Sequence, residues 1–187
     1  MAIEHDYITA ELSNRQMMKA LELFPIYKEE DGKIVLKGYR PRTVPTPELA
    51  REVVATREKI NRHYGGIEVR SEEETDALCR ADHEFELIGL DLRSQPFEKD
   101  GMTGLRSVTG EVLVPPMPGV SFPERYSPFS HMRFAPIECD GKMAIVALDG
   151  SGRLCCDFVY DRIFCHPGTP FFVCERDGKA MMLSVKC

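Results

Sequence analysis

Apolar residues recur at helical spacing in the first half of the chain, and capping residues precede each run. The first predicted helix begins at Ser13, which can form a capping box with Gln16, and ends before Pro25. The second begins at Thr46 and ends at Gly65–Gly66. The apolar side of the first comprises Met17, Met18, Leu21 and Phe24, and the core-facing stripe of the second comprises Leu49, Val53, Ile60 and Tyr64.

A hairpin and a third helix complete the pattern of this half. Asp31-Gly32 lies between β-prone residues in the stretch Ile26–Leu36, and Asp-Gly between such runs is typical of a tight hairpin turn. The third, shorter helix begins at Ser71, and Glu74 is placed three residues later to complete a capping box.

The pattern changes after Asp82. The stretch Glu84–Leu92 alternates loosely and predicts a strand, and glycine, proline and β-forming residues dominate beyond it. The prolines after Val114 predict a loop rather than an interior strand; they are Pro115, Pro116, Pro118, Pro123 and Pro128.

A boundary near residue 95 therefore separates two regions. Residues 1–95 form a predicted helical N-terminal region with one hairpin, and residues 96–187 form a predicted β-repeat region. The expected fold class is α+β, in which a helix-rich N-terminal half packs on a C-terminal array of antiparallel β-hairpin repeats.

The second region contains an internal repeat. Asp-Gly recurs at residues 100–101, 140–141 and 177–178, each time between two apolar runs. The runs Phe134–Cys139 and Phe171–Arg176 both lead into Asp-Gly-Lys, and a Gly-rich turn and a further strand follow the second copy. One hairpin cannot bury an apolar face alone, so we expect the copies to stack on one another.

These residues resemble WG repeats, the bacterial β-repeat modules named for a Trp-Gly pair. The resemblance covers roughly Asp100 to Cys187 and includes Val-Tyr-Asp-Arg-Ile at residues 159–163. The chain has no Trp, and Thr103-Gly104, Met143-Ala144 and Ala180-Met181 stand at the Trp-Gly positions, so the chain resembles a degenerate member. The resemblance implies a β-repeat array used in binding and carries over no catalytic residue.

Composition and charge narrow the function classes. The formal net charge of −6 is unfavourable for a nucleic-acid interface, because such interfaces place basic side chains against phosphates. The N-terminus has neither the basic start nor the apolar core of a secretion signal, and no stretch is long and apolar enough to span a membrane. We therefore expect a cytoplasmic protein whose seven cysteines are reduced, with many of them in the core.

The residues around the cysteines give only weak indications of metal binding or thiol catalysis. The stretch after residue 130 offers possible zinc ligands but no Cys-x-x-Cys pair, so we expect no metal and no cofactor. Cys79 and His83 could meet one helical turn apart, with Asp82 beside them, but inward packing of Cys79 is the simpler interpretation. The zinc candidates are His131, Cys139, Cys155, Cys156, Cys165, His166 and Cys174.

Aromatic residues beside the proline-rich turns favour binding. We predict that Phe122, Tyr126, Phe129 and Met132 contact a partner, although they could equally fill the core between repeats. The predicted function is a non-enzymatic protein-interaction module of the WG-repeat type in a bacterial cytoplasm, with a protein partner. The alternative is a small enzyme or ligand-binding protein whose pocket lies between the halves and uses Cys, His and acidic residues.

Overall fold

The computed structural model describes residues 22–130, 132–165 and 171–185. These residues form two compact units, each described below by itself. The first contains residues 22–45 and Glu52–Asp91, and the second contains Thr46–Arg51 and the described residues from Leu92 onward. This part of the chain contains two helices and eleven strands, and every strand lies in a small antiparallel sheet. The predicted α+β class is confirmed.

A long hairpin and two helices form the first unit. Strands β1 (Leu23–Glu30) and β2 (Lys33–Pro41) pair antiparallel, followed by α1 (Pro47–Tyr64), whose first turn belongs to the second unit, and α2 (Glu72–Leu87). Asp31 and Gly32 connect the strands with φ values of 52° and 74°. Two successive positive φ angles define the type I′ turn that Asp-Gly predicts.

The predicted helix ends follow from local chemistry. The Thr46 hydroxyl oxygen accepts a 3.4 Å hydrogen bond from the Leu49 N–H at the start of α1, and Gly66 continues the chain beyond its end at φ 72°. At α2 the capping box is complete, because the Ser71 side chain bonds the Glu74 N–H and the Glu74 carboxylate bonds the Ser71 N–H. The core-facing stripe predicted for α1 is only partly buried. Val53 is buried, Leu49 and Ile60 are half-buried, and Tyr64 is 69% exposed.

The prediction of a helix-rich N-terminal half is wrong. Most of the helix expected from Ser13 lies outside the described residues, but Phe24, assigned to its apolar side, lies in β1. Pro25 is compatible with the strand because its missing N–H falls at an outer edge. The strand expected at Glu84–Leu92 is also wrong, because α2 continues to Leu87. Gly89, at φ 68°, follows the C-cap residue and ends the helix, and the strand prediction did not take it into account.

Three small antiparallel sheets form the second unit, and each contains one Asp-Gly hairpin. The first sheet has the order β3-β4-β5, the second β6-β7-β8 and the third β9-β10-β11. The strands are β3 (Gln95–Lys99), β4 (Met102–Arg106), β5 (Val112–Met117), β6 (Val120–Ser121), β7 (Phe134–Cys139), β8 (Lys142–Ala147), β9 (Arg162–Cys165), β10 (Phe171–Arg176) and β11 (Lys179–Ser184).

The three hairpins share one register. Asp100, Asp140 and Asp177 all have φ between 51° and 53°, and the glycine after each has φ between 70° and 72°. As a result, three cross-strand pairs occupy equivalent positions: Phe97 with Gly104, Ile137 with Ala144, and Cys174 with Met181. Gly104, Ala144 and Met181 are the second residues of the dipeptides Thr103-Gly104, Met143-Ala144 and Ala180-Met181.

The proline-rich stretch differs from its prediction. Pro115 and Pro116 lie within β5, which was expected to be a loop. β5 is the outer strand of its sheet, and its pairing with β4 is irregular on both sides of Leu105. An edge strand with shifted register tolerates proline because few of its N–H groups are needed in the ladder.

Two apolar clusters hold the second unit together. The first cluster contains buried residues of β4 to β8, and the second contains residues of β8 to β10. The members of the first are Leu105, Val114, Val120, Ala135, Ile137, Ala144 and Val146; those of the second are Met143, Ile145, Ile163, Phe172 and Cys174. Alternate residues of β8 therefore serve different clusters, because neighbouring side chains in a strand point to opposite faces.

A carboxylate links two neighbouring hairpins. Asp161, from the Val-Tyr-Asp-Arg-Ile run, accepts a hydrogen bond from Lys142 Nζ and another, of 2.9 Å, from the backbone N–H of Asp177. Lys142 follows the turn of the second hairpin, and Asp177 opens the turn of the third. The Lys142 ammonium and the Asp177 N–H hold the pKa of Asp161 below its usual range.

Candidate functional site

The loop predicted to bind a partner packs partly inward. Phe122 and Tyr126 are half-buried against the first cluster, whereas Met132 is half-buried against the second. Phe129 is also half-buried, and its N–H donates a 3.3 Å hydrogen bond to Ser127 Oγ. The fold thus brings Phe122 and Tyr126 onto one cluster and places Met132 on another. Their contact with a partner stays a prediction.

Hydrogen bonds hold this loop against the segment before β3. The Ser94 N–H donates to the Tyr126 carbonyl at 2.6 Å, and the Tyr126 N–H donates to Ser94 Oγ at 2.9 Å. Arg125 Nε donates to the Ser94 carbonyl at 3.0 Å, and the Tyr126 hydroxyl donates to Glu124 at 2.7 Å. Replacing Tyr126 would therefore disturb the packing of the second unit in addition to any binding surface.

The Cys79 group does not assemble a nucleophile. Within the described part of the chain, the Cys79 thiol lies 3.7 Å from the Tyr64 hydroxyl rather than in a hydrogen bond with His83. That thiol raises the pKa of Tyr64. Asp82, the acid expected beside them, accepts a 2.6 Å hydrogen bond from Arg57. A base and an orienting acid are both required to activate a thiol in this way.

An open cavity of about 540 Å³ lies along the same side of α2. Its lining residues are Asp76, Cys79, Arg80, His83 and Glu84, all on one helix. A binding pocket for a small molecule normally encloses its ligand between several elements, which this lining does not do.

Two cysteines of the second unit, Cys156 and Cys174, contribute to its apolar packing. Burial raises the pKa of Cys174 to about 11, and burial also raises the pKa of Cys156. A thiolate is the reactive and metal-binding form, so both shifts oppose nucleophilic and ligand roles. No cluster of three or more metal-binding side chains occurs among the residues that the structure describes; His131 and His166, two of the zinc candidates, lie outside them.

The β1–β2 hairpin is attached to the first unit at its base. The Phe24 ring packs so closely on Gly89 that a Cβ there would lie 2.5 Å from the ring. The guanidinium groups of Arg40 and Arg42 lie 5.2 and 5.6 Å from the centre of the same ring. The Thr43 N–H donates a 3.0 Å hydrogen bond to the Gly89 carbonyl. These contacts fix the base, whereas every residue from Ile26 to Lys37 is exposed.

One face of this hairpin is apolar and exposed. Residues paired across an antiparallel ladder share a face, so the observed register places five large apolar side chains together. Their exposed fractions range from 41% to 78%. We name this surface the hairpin face; its large apolar residues are Leu23, Tyr27, Ile34, Leu36 and Tyr39. One carboxylate, that of Glu29, shares the face because Glu29 pairs with Ile34. A two-stranded hairpin of this length is marginal in water unless its apolar face is covered.

The opposite face of the hairpin is basic. Phe24, Ile26 and Val35 share it with the cationic side chains of Lys28, Lys33, Lys37 and Arg40. One carboxylate, that of Glu30, also lies there and accepts a 2.6 Å hydrogen bond from Lys37. This face is locally positive, although the whole chain carries a net charge of −6.

The hairpin was predicted, but its exposed face was not. The sequence contains the information that predicts this face. Tyr27 and Leu36 lie equally far from the Asp31-Gly32 turn, on opposite sides of it, and are therefore paired across the hairpin. Counting pairs outward from the turn puts these two residues and Ile34 on one face. Nothing in their pattern distinguishes an exposed apolar face from a buried one.

No family model, curated protein or solved structure matches the chain. In the part of the chain that the structure describes, neither helix has the length and apolar character needed to cross a membrane.

Proposed function

We propose that the chain is a non-enzymatic protein-interaction module and that the hairpin face is its main contact surface. The observation that carries this proposal is the exposure of five large apolar side chains on one face of the β1–β2 hairpin. Single exposed apolar residues are ordinary, but a contiguous group on one face is typical of a binding surface. The aromatic character of Tyr27 and Tyr39 also suits an interface.

The second unit is proposed to be an array of WG-type repeats that acts as a scaffold. The shared register of its three Asp-Gly hairpins supports this assignment, as does the carboxylate link between the second and third hairpins. A bacterial cytoplasm remains the proposed setting. Because Phe122 and Tyr126 already contact the first cluster, we place the partner's principal contact on the hairpin face rather than on their loop.

A paired comparison of variants tests this proposal. The test variant carries Ile34→Ser and Tyr39→Ser, which make two hairpin-face positions polar. The control variant carries Ile67→Ser and Val69→Ser, at positions that are 79% and 97% exposed in the same unit but outside the hairpin. All three proteins serve as bait in native bacterial lysate, and the captured proteins are quantified by mass spectrometry.

The proposal predicts one captured protein in stoichiometric amount that is lost from the test variant and kept by the control. Equal capture by both variants, or no stoichiometric protein with the unsubstituted chain, would contradict it. Circular dichroism of the three proteins establishes that the comparison is between folded chains.

A further inference from the structure

The outer edge of β2 carries backbone groups that can form another ladder. In a two-residue hairpin the pair beside the turn, Glu30 with Lys33, is hydrogen-bonded, and bonded and non-bonded pairs then alternate. Ile34 and Leu36 therefore direct their N–H and C=O groups away from β1. At the base, the 2.9 Å hydrogen bond from Arg42 N–H to the Glu22 carbonyl sets the same alternation, which gives Tyr39 this outward direction.

The two edges of the hairpin are not equivalent. Among the described residues, β1 and β2 form a sheet of two strands, with no third strand on either side. Pro25 interrupts the outer edge of β1 because it has no N–H to donate. On β1 this gap separates the outward N–H of Leu23 from those of Tyr27 and Glu29. On β2 the proline of the outer edge, Pro41, stands at the end of the strand, so the donors Ile34, Leu36 and Tyr39 are not separated by a proline, and their side chains belong to the hairpin face. A bulge between Leu36 and Gly38 shifts the register midway along this edge.

The charges beside this edge select the kind of strand that can join it. A strand added to β2 would place alternate side chains on the hairpin face and the others beside Lys33 and Lys37 on the basic face. A second copy of β2 would bring its own Lys33, Lys37 and Arg40 against the same cations. Like charges at such positions are unfavourable, so the surface is complementary to carboxylates rather than to itself.

We propose that the outer edge of β2 binds an extended protein segment in which apolar residues alternate with acidic ones. The segment adds as a third strand to the hairpin. Its backbone pairs with that of Ile34 and Leu36, its apolar side chains extend the hairpin face, and its carboxylates lie beside Lys33 and Lys37. This inference rests on the proposed function and specifies the partner's chemistry and its mode of binding.

Direct binding of defined peptides to the full chain tests the inference. The probes are two fluorescein-labelled nine-residue peptides, one alternating valine with glutamate and the other valine with lysine, measured by fluorescence anisotropy. We expect the glutamate peptide to bind at least about tenfold more tightly, and the combined Lys33→Gln and Lys37→Gln variant to reduce this difference. Equal affinity for both peptides, or no binding of either, would overturn the inference.

A proline variant separates strand addition from side-chain contact. Leu36→Pro removes the outward N–H together with the side chain, whereas Leu36→Ala removes the side chain and keeps the N–H. We expect the glutamate peptide to bind the proline variant at least about fivefold more weakly than the alanine variant. The matched control is Tyr27→Pro, which removes the corresponding N–H from the edge of β1 and should not produce this additional loss relative to Tyr27→Ala.

Three further results would overturn the inference, and the first two would leave the proposed function standing. The first is slow hydrogen exchange of the Ile34 and Leu36 amides in the free chain, because the edge would then already be occupied. The second is capture of the lysate partner equally by Leu36→Pro and Leu36→Ala, because recognition would then depend on the hairpin face alone. Self-association of the chain that Leu36→Pro abolishes would identify a second copy as the occupant and would likewise overturn it.

Discussion

The equivalent cross-strand pairs of the three hairpins predict a coupled effect on stability. Gly104 faces Phe97 in the first hairpin, and Ala144 faces Ile137 in the second. A Cβ built at Gly104 would lie 2.7 Å from two carbons of the Phe97 ring and 2.9 Å from the Val114 carbonyl oxygen. Glycine therefore makes room for the ring, and we expect Gly104→Ala to destabilise the second unit.

The magnitude follows from these distances. Non-bonded carbons are most stable at about 3.5–4.0 Å, so the ring must retreat by about 1 Å. Inserting a carbon into a packed site costs about 1–3 kcal/mol, and the lower backbone entropy of alanine in a strand offsets about 0.5–1 kcal/mol of that cost. Contacts with both the ring and the carbonyl oxygen place the cost in the upper part of that range. The net loss should therefore be about 1–2 kcal/mol, which corresponds to a fall in Tm of about 2–8 °C for a chain of this size.

A double-mutant cycle measured by scanning calorimetry tests the cause. In the background of Phe97→Ile, which recreates the second hairpin's pair, Gly104→Ala should cost about 1 kcal/mol less than in the unsubstituted chain. The lost stability should be recovered only in part, because the Val114 carbonyl oxygen stays close to the new carbon. Thr103→Ala, at the preceding position on the opposite face, is the control for a general effect in β4. Equal costs in both backgrounds, or no cost at all, would refute the reasoning.

Three further effects are expected. Asp161→Asn should lower the urea midpoint at pH 7; because the folded-state pKa of Asp161 is lowered by Lys142, the difference should persist above about pH 4 and disappear as the pH falls below it. Iodoacetamide at pH 8 should label Cys174 only when urea unfolds the chain, as peptide mass spectrometry can establish, since its pKa is raised to about 11. Ser71→Ala should cost about 1 kcal/mol in chemical unfolding, and Glu74→Ala should add a further loss, because each side chain bonds the backbone N–H of the other residue and that N–H survives the substitution.

Local signals predicted the elements whose conformation depends on nearby residues. Asp-Gly identified four hairpins because Asp and Gly both tolerate the positive φ angles of a type I′ turn. Ser71 with Glu74 identified the start of α2 because both hydrogen bonds of the capping box lie within one turn. The strand predicted at Glu84–Leu92 is wrong because the alternating pattern there was given more weight than Gly89, which ends the helix.

The candidate site was harder to predict because burial depends on the whole fold. Phe122 and Tyr126 lie in a loop rich in proline, which suggested a surface, yet both pack on the first cluster. Tyr64 continued the apolar stripe of α1 and is nevertheless exposed. Periodicity identifies which residues share a face, but it does not identify which faces find a partner within the chain.

That distinction explains why the proposed binding surface lies in the first unit. Each hairpin of the second unit gains one further strand, so one edge of each is paired within the chain. The β1–β2 hairpin has the same turn and a similar apolar pattern but no third strand among the described residues. Its outward N–H groups on β2 correspond to the edge that each of the other hairpins pairs with a third strand. A third strand from a partner would give this hairpin the arrangement that the chain already forms three times.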